Sequence, residues 1–421
     1  MSGWPAQLLD DAQRLAWLRL WRSENIGPTL FYQLIDHFGS AGAALEAMPE
    51  MARRGGRRKA VRVCPQQRAE AELEQLRRMG AILVARGEAG YPPLLAHSAA
   101  PPPLLTLRGQ AELAGQPLAA IVGSRNASAN GRLLAQQLAG GLVAEGYGIV
   151  SGLARGIDGA AHEGALAAAA ATGGPSTIAV LACGIDVPYP REHAALMERI
   201  AREGLLISEM PPGTRPARAL FPRRNRLVAG MSLGVIVVEA ARRSGSLITA
   251  RLAAEEGRAV MAVPGSPLDG RAAGCNHLLR EGAVLVRHAR DAAETLAREA
   301  GQLKVALREP PPALPPLPGK EADVETLPLP ADATPAPAAP DASDAPRESS
   351  AKAAPPPPAP PDSLREKLLR LMGNGPVDQD VLLRQADAPP AEALAALMEL
   401  ELAGRITRAP DGRLSLAAPP A

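Results

Sequence analysis

The chain is poor in rings. Three Phe, four Tyr and three Trp stand among 421 residues, so any surface that stacks nucleobases must be small and use few of them. Cysteine is scarce as well. Cys64, Cys183 and Cys275 are scattered and odd in number, with no CxxC or Cys/His spacing for zinc, which argues against a disulfide framework and fits a reduced, cytoplasmic setting. No signal peptide is expected, and no apolar run is long enough to span a membrane. Neither nucleotide fingerprint is present: no GxGxxG follows a candidate strand, and GxxxxGK(S/T) is missing. Dinucleotide binding and P-loop hydrolysis are therefore disfavoured, and neither a cofactor nor a metal is expected.

What is present suits two or three domains with a sizeable core, given the length and an apolar fraction of 46%. The net charge is only +2, but its distribution is uneven. Between Pro211 and Arg258 lie nine Arg and only three acids, Glu239, Glu255 and Glu256. That is the footprint a polyanion requires.

Four segments follow from patterning. Residues 1–79 read as a small helical domain, with Leu15, Leu18, Leu20, Leu30, Leu34 and Ile35 at helical spacing. Its turn Asn25-Ile26-Gly27-Pro28 half-resembles a helix-hairpin-helix, which holds a phosphate on backbone N–H groups; here Pro28-Thr29 replaces the second glycine, and packing is the plainer role. The basic run Arg53, Arg54, Arg57, Arg58, Lys59, Arg62 reads as solvated surface or an extension of a DNA track. Residues 80–300 alternate short apolar strands with helices. The strands are expected at Ala81–Ala85, Leu118–Val122, Gly148–Val150, Thr177–Ala182, Leu205–Ser208, Gly234–Val238, Ala259–Val263 and Ala283–Val286. This predicts an α/β, doubly wound, mostly parallel sheet whose strands are buried on both faces. Residues 301–362 are Pro/Ala-rich and read as a disordered linker. Residues 363–421 predict three helices and a hairpin turning at Asp411-Gly412, a winged helix. Its third helix, expected at Ala391–Ala403, carries Glu392, Glu399 and Glu401 with no basic residue before Arg405. A major-groove reader needs a basic helix, so this tail is read as a protein-contact module.

The unusual polar clusters follow strands: Gly123-Ser124-Arg125, Ser151–Asp158, Cys183–Pro190, Ser208–Gly213, Glu239, Ser244–Thr249 and Pro264-Gly265. In open α/β sheets ligands bind at the carboxyl ends of strands, so these loops should ring one site. Glycines, helix N-termini, hydroxyls and forked Arg donors suit phosphate. Phe221-Pro222-Arg223-Arg224-Asn225-Arg226 opens a helix with a ring and three guanidiniums, the pairing a sequence-tolerant single-strand groove needs.

Three blocks, Ser151–Asp158 (SGLARGID), Phe221–Ser232 (FPRRNRLVAGMS) and Val237–Ala250 (VVEAARRSGSLITA), resemble the DNA-processing protein A (DprA/Smf) family. Shorter matches at Gly123-Ser124-Arg125, Ser208–Gly213, Ala262–Gly265 and Gly274–Asn276 extend the likeness over about half the chain. The resemblance implies an extended Rossmann-like fold, with a SAM/helix-hairpin-helix-like domain before it and a winged helix after it. It also implies a dimeric, non-enzymatic protein that binds and protects incoming single-stranded DNA and loads the RecA recombinase during natural transformation. Carried over by position, phosphate contacts fall on Gly123, Ser124, Arg125, Ser151, Gly152, Arg155, Gly156, Arg223, Asn225, Arg226, Ser246 and Thr249. Arg224 joins them as a further cationic donor, and Phe221 is the stacking ring. The chain departs from the family pattern at His193 and Asn130.

Two rival readings remain. Nucleoside-monophosphate phosphoribohydrolases share a similar fold but carry PGGxGTxxE; Ser244–Arg251 has Ala250 and Arg251 and no Glu in place, leaving Glu239 and Asp186 as a candidate carboxylate pair. A pure assembly adaptor would leave the Arg-rich strand-end loops unexplained.

Overall fold

The structure, a computed structural model, describes residues 9–306 and 363–417, apart from residues 58, 374 and 410–411. The chain opens with four helices, α1 (Asp11–Trp21), α2 (Pro28–Phe38), α3 (Ala41–Arg54) and α4 (Gln66–Arg78). Asp10 and Ser40 cap α1 and α3 through their side chains, and Pro28 begins α2 where its missing N–H costs nothing. Trp17, Trp21, Phe31 and Tyr32 form edge-to-face pairs in their shared core. Much of the scarce aromatic content is thus spent on packing this small domain. Its basic run is largely neutralised. Arg53 and Arg54 pair with Glu50, and Arg57 and Arg62 with Glu24; Arg58 lies outside the described residues.

The central domain continues through β1 (Ala81–Ala85), α5 (Pro93–Ala96), β2 (Leu104–Gly109), β3 (Leu118–Val122), α6 (Ala129–Ala144), β4 (Gly148–Ser151), α7 (Ile157–Thr172), β5 (Thr177–Leu181), α8 (Ala194–Glu203), β6 (Leu205–Ser208), α9 (Leu220–Met231), β7 (Gly234–Val237), α10 (Gly245–Glu255), β8 (Ala259–Ala262), α11 (Ala273–Arg280), β9 (Val284–Leu285) and α12 (Ala289–Ala306). The strands form one sheet in the order β1-β2-β6-β5-β4-β3-β7-β8-β9. Seven of them, from β6 to β9, run parallel. Side chains alternate between faces: Ala119, Ile121, Ile149 and Ile236 pack with α6, α7 and α12, whereas Ala120, Val122, Val150 and Val235 pack with α9, α10 and α11.

The expected doubly wound α/β fold is present, with two corrections at its edges. No strand was expected at β2, which follows three prolines, yet it pairs antiparallel with both β1 and β6. β1 is consequently an antiparallel edge strand with Ile82 52% exposed, not a strand buried on both faces. At the opposite edge the strand expected at Ala283–Val286 shortens to two exposed residues. Among the described residues no helix is long and apolar enough to cross a membrane.

The expected linker overlaps α12, which runs on to Ala306, and the remainder, 307–362, lies outside the described residues. The tail forms α13 (Leu364–Leu371), α14 (Gln379–Gln385), α15 (Pro390–Leu402), β10 (Ile406–Arg408) and β11 (Leu414–Leu416), with β10 and β11 antiparallel. Asp411 at the expected hairpin tip lies outside the described residues.

A buried histidine gives the central domain a pH dependence. His162, on α7, is fully buried, with Nδ1 2.7 Å from Thr177 Oγ1. That hydroxyl donates to the Ile149 carbonyl at 2.8 Å, so the imidazole proton sits on Nδ1 and Nε2 has no partner. Burial pushes the His162 pKa down to about 3, against about 6.5 in an unfolded chain. The unfolded state therefore takes up a proton below pH 6.5 that the folded state refuses. This contribution to stability is complete above pH 6.5 and is lost as pH falls towards 3. Between pH 6.5 and 5.5 the wild type should lose about 1 kcal/mol more than His162→Gln in urea denaturation. Parallel losses in the two proteins would remove His162 as the cause.

Candidate nucleic-acid interface

Strand order reverses at β3. The chain winds outwards through β4, β5 and β6 on one side, then returns to place β7 on the other. Loops after β3 and β7 leave in opposite directions there, and a crevice opens at the carboxyl ends of the strands. The two loops are tied together. The Ser124 N–H donates to the Glu239 carbonyl at 2.7 Å, and the Glu239 carboxylate accepts from the Ser128 N–H at 2.9 Å and from its hydroxyl. Glu239 thus holds the N-terminus of α6. Asp186 accepts from the Gly213 N–H at 2.8 Å and fixes the next loop along. Both carboxylates of the candidate pair are spent on scaffold.

The loop after β4 is shaped from beneath. Asp158, in the first turn of α7, is buried and accepts from the N–H groups of Gly152 and Ala154 at 3.2 and 3.4 Å. Burial pushes its carboxyl above the usual range, against the pull of Arg224 and the backbone donors. Gly156 has φ +77°, and a Cβ there would strike the Ser124 carbonyl, so only glycine lets these two loops meet.

Over this base lies a cavity of about 670 Å³. It is lined by Gly123, Ser124, Arg125, Gly152, Phe221, Arg224, Asn225, Ser246 and Thr249, and these expected residues are brought together. Arg125 stacks on the Phe221 ring at 4.8 Å. Arg155 lines an adjoining cavity of about 700 Å³ that shares Arg125. Arg223 and Arg226 lie apart, on a cleft beside the helical domain. Gly156 and Ser151 line neither of the two cavities.

Several expected contacts turn inwards, and here the sequence reading is corrected. Ser151 is buried and donates to the Ile121 carbonyl at 2.6 Å. Arg224 is buried and donates to the Val180 carbonyl at 2.9 Å. Thr249 and Ser246 are buried on the inner face of α10. Arg226 donates to the Ala100 carbonyl and pairs with buried Glu209 at 2.5 Å. Arg224, Ser246 and Thr249 form part of the crevice wall, whereas Ser151 is spent within the sheet and Arg226 faces the separate cleft. Ser124, Arg125, Arg155, Arg223 and Asn225 keep side-chain surface open to solvent.

The structure adds residues that sequence reasoning missed. Tyr189 is 37% exposed, and its ring centroid lies 5.7 Å from that of Phe221. Arg191 and Arg215 line the adjoining cavity, and Arg218 and Arg243 line the first. All four are exposed, and among the described residues no carboxylate pairs with them. One signal for Tyr189 was available, an aromatic residue in a strand-end loop.

A family model described as DNA recombination-mediator protein A matches residues 82–297. Models of the DprA-like N-terminal HHH domain and the DprA winged helix domain match residues 11–74 and 352–412. The chain belongs to the DNA-processing protein A family. Protein Smf of Escherichia coli is 34% identical over 353 residues, 84% of this chain and 82% of that protein. DNA processing protein DprA of Streptococcus pneumoniae is 48% identical over 190 residues, 45% of this chain. The chain spans 65% of that relative's length and 60% of the Mycobacterium tuberculosis relative's. The X-ray structure of the S. pneumoniae protein superposes with a TM-score of 0.54 at 35% identity, covering 68% of this chain and 97% of that one. The family is one of recombination mediators, and its fold is the one described above.

Proposed function

We propose that the chain binds single-stranded DNA along the strand-end crevice and mediates recombination without catalysis, cofactor or metal. The observation that carries this reading is the Tyr189–Phe221–Arg125 stack set among exposed, unpaired arginines. Ring faces accept any base, and guanidiniums hold phosphates whatever the sequence. The crevice fits a linear polyphosphate better than one nucleotide, because its cations are spread across two adjoining cavities and a third cleft. The contact set is Gly123, Ser124, Arg125, Gly152, Arg155, Phe221, Arg223 and Asn225, now with Tyr189, Arg191, Arg215, Arg218 and Arg243.

In this reading residues 1–79, 80–300, 301–362 and 363–421 are the helical domain, the DNA-binding domain, the linker and the winged helix. A cytoplasmic homodimer that protects incoming strands and loads RecA during transformation is the role its family resemblance supports.

The test is fluorescence anisotropy of labelled oligonucleotides, single-stranded against duplex, over a salt series. Binding should prefer single strands, vary little with sequence and weaken steeply with salt. Arg223, 45% exposed and 3.8 Å from Glu209, should count as one phosphate contact. Arg223→Ala should weaken all sequences alike and lower the salt slope by about one. An unchanged slope would remove Arg223 from the track, and absence of single-strand preference would overturn the reading.

A further inference from the structure

Helix α15 occupies the position from which a winged helix reads duplex DNA, yet both its sides are covered. Ala393, Ala396, Leu397 and Leu400 pack into the tail's own core with Leu368, Leu382, Ile406 and Leu414. Met398 and Leu402 instead join the apolar cluster of the N-terminal helices, with Trp21, Phe31, Met48 and Met51. Two of the three acidic side chains of α15 are turned to the tail's own arginines, Glu399 to Arg365 and Glu401 to Arg408, and the third, Glu392, is exposed in the first turn. What α15 offers its neighbour is therefore apolar and uncharged.

Three features of the helical domain match this docking. Asn25 holds a left-handed backbone, φ 63°, at the hairpin turn, and its amide donates to the Leu402 carbonyl at the C-terminus of α15 at 3.0 Å. Gln33 on α2 reaches Gln379 on α14 at 3.4 Å. Gly55 ends α3 with φ −68°, a conformation open to any residue, but a Cβ there would strike the Glu399 carbonyl and come within 2.8 Å of Ala403 Cβ. The helical domain alone does not require glycine at this position. The tail does, because two backbones meet there.

We propose that the C-terminal domain is an intramolecular latch, whose helix α15 binds the α2–α3 face and hairpin turn of the chain's own helical domain in place of a duplex groove. Docking also makes the wing, Ile406–Ala409, a wall of the cleft that Arg223 lines. The assignment stands on apolar burial and backbone contact and is independent of the single-strand reading.

The test places a protease site within residues 307–362 of the full chain, cuts it, and follows the tail by size-exclusion chromatography. In wild type the tail should stay with the body. In Gly55→Val it should separate, while circular dichroism and single-strand affinity stay within about two-fold. Asn25→Gly keeps the left-handed turn and removes one hydrogen bond, so it should weaken retention of the cut tail about three- to ten-fold. Loss of the tail from wild type, or full retention by Gly55→Val, would overturn the latch. A gain in duplex affinity on release would show α15 to be a masked DNA reader and overturn its assignment to protein.

Discussion

Arg224→Leu should lower the free energy of unfolding by about 3 to 5 kcal/mol in urea denaturation. Arg224 is buried, fixed to the Val180 carbonyl, and set against Gly152, where a Cβ would collide with its guanidinium. Its charge lies beside the buried carboxylate of Asp158. Removing the guanidinium leaves that carboxylate with only backbone donors, among them the Gly152 and Ala154 N–H groups, and a buried charge stripped of its countercharge costs more than the intact pair contributes. Leu fits the apolar wall of α9 but supplies no charge. Arg224→Leu with Asp158→Asn should therefore recover at least half the loss, because an amide still engages the loop without carrying charge. A loss below about 1 kcal/mol, or strict additivity of the two changes, would show that the residues are not coupled.

The second large effect is on binding. Arg125→Ala with Phe221→Ala should reduce single-strand affinity by about a hundred-fold or more. Stacking on one ring contributes about 1 to 3 kcal/mol, and a charge-assisted bond to phosphate about 1.5 to 3. The singles should not add to the double, since Arg125 lies over the Phe221 ring and each positions the other. Phe221→Ala alone should leave the salt slope intact, whereas Arg125→Ala should lower it. A double variant within three-fold of wild type would place the strand elsewhere.

The two cases separate what could be read from sequence and what could not. Patterning located the central parallel strands, because β-runs buried on both faces leave a plain apolar signal, and strand-end loops follow from them. It also located the loops that ring the crevice. It did not distinguish which polar residues in those loops face out. For α9 the answer was present as a period: Arg224, Leu227, Val228 and Met231 lie at helical spacing and all are buried. The apolar face of α9 therefore claims Arg224, while Arg223, one step round the helix, stays exposed. Ser246, Thr249, Ala250 and Ala253 repeat the pattern on α10. Strand β2 was missed because three prolines precede it and its residues Leu104–Leu107 are all buried, so the run shows none of the alternation expected of an antiparallel strand. The docking of α15 rests on contacts between distant segments, which no local pattern records.

Among the described residues Tyr189 and Phe221 are the rings that line the crevice, and the other lining groups that could grip a strand are guanidiniums, hydroxyls, amides and backbone. A strand gripped by the faces of its bases and by its phosphates is held without use of its pairing edges. On the proposed reading those edges would be left unengaged, so complementarity could be tested while the strand is still in place, and release need not come before search.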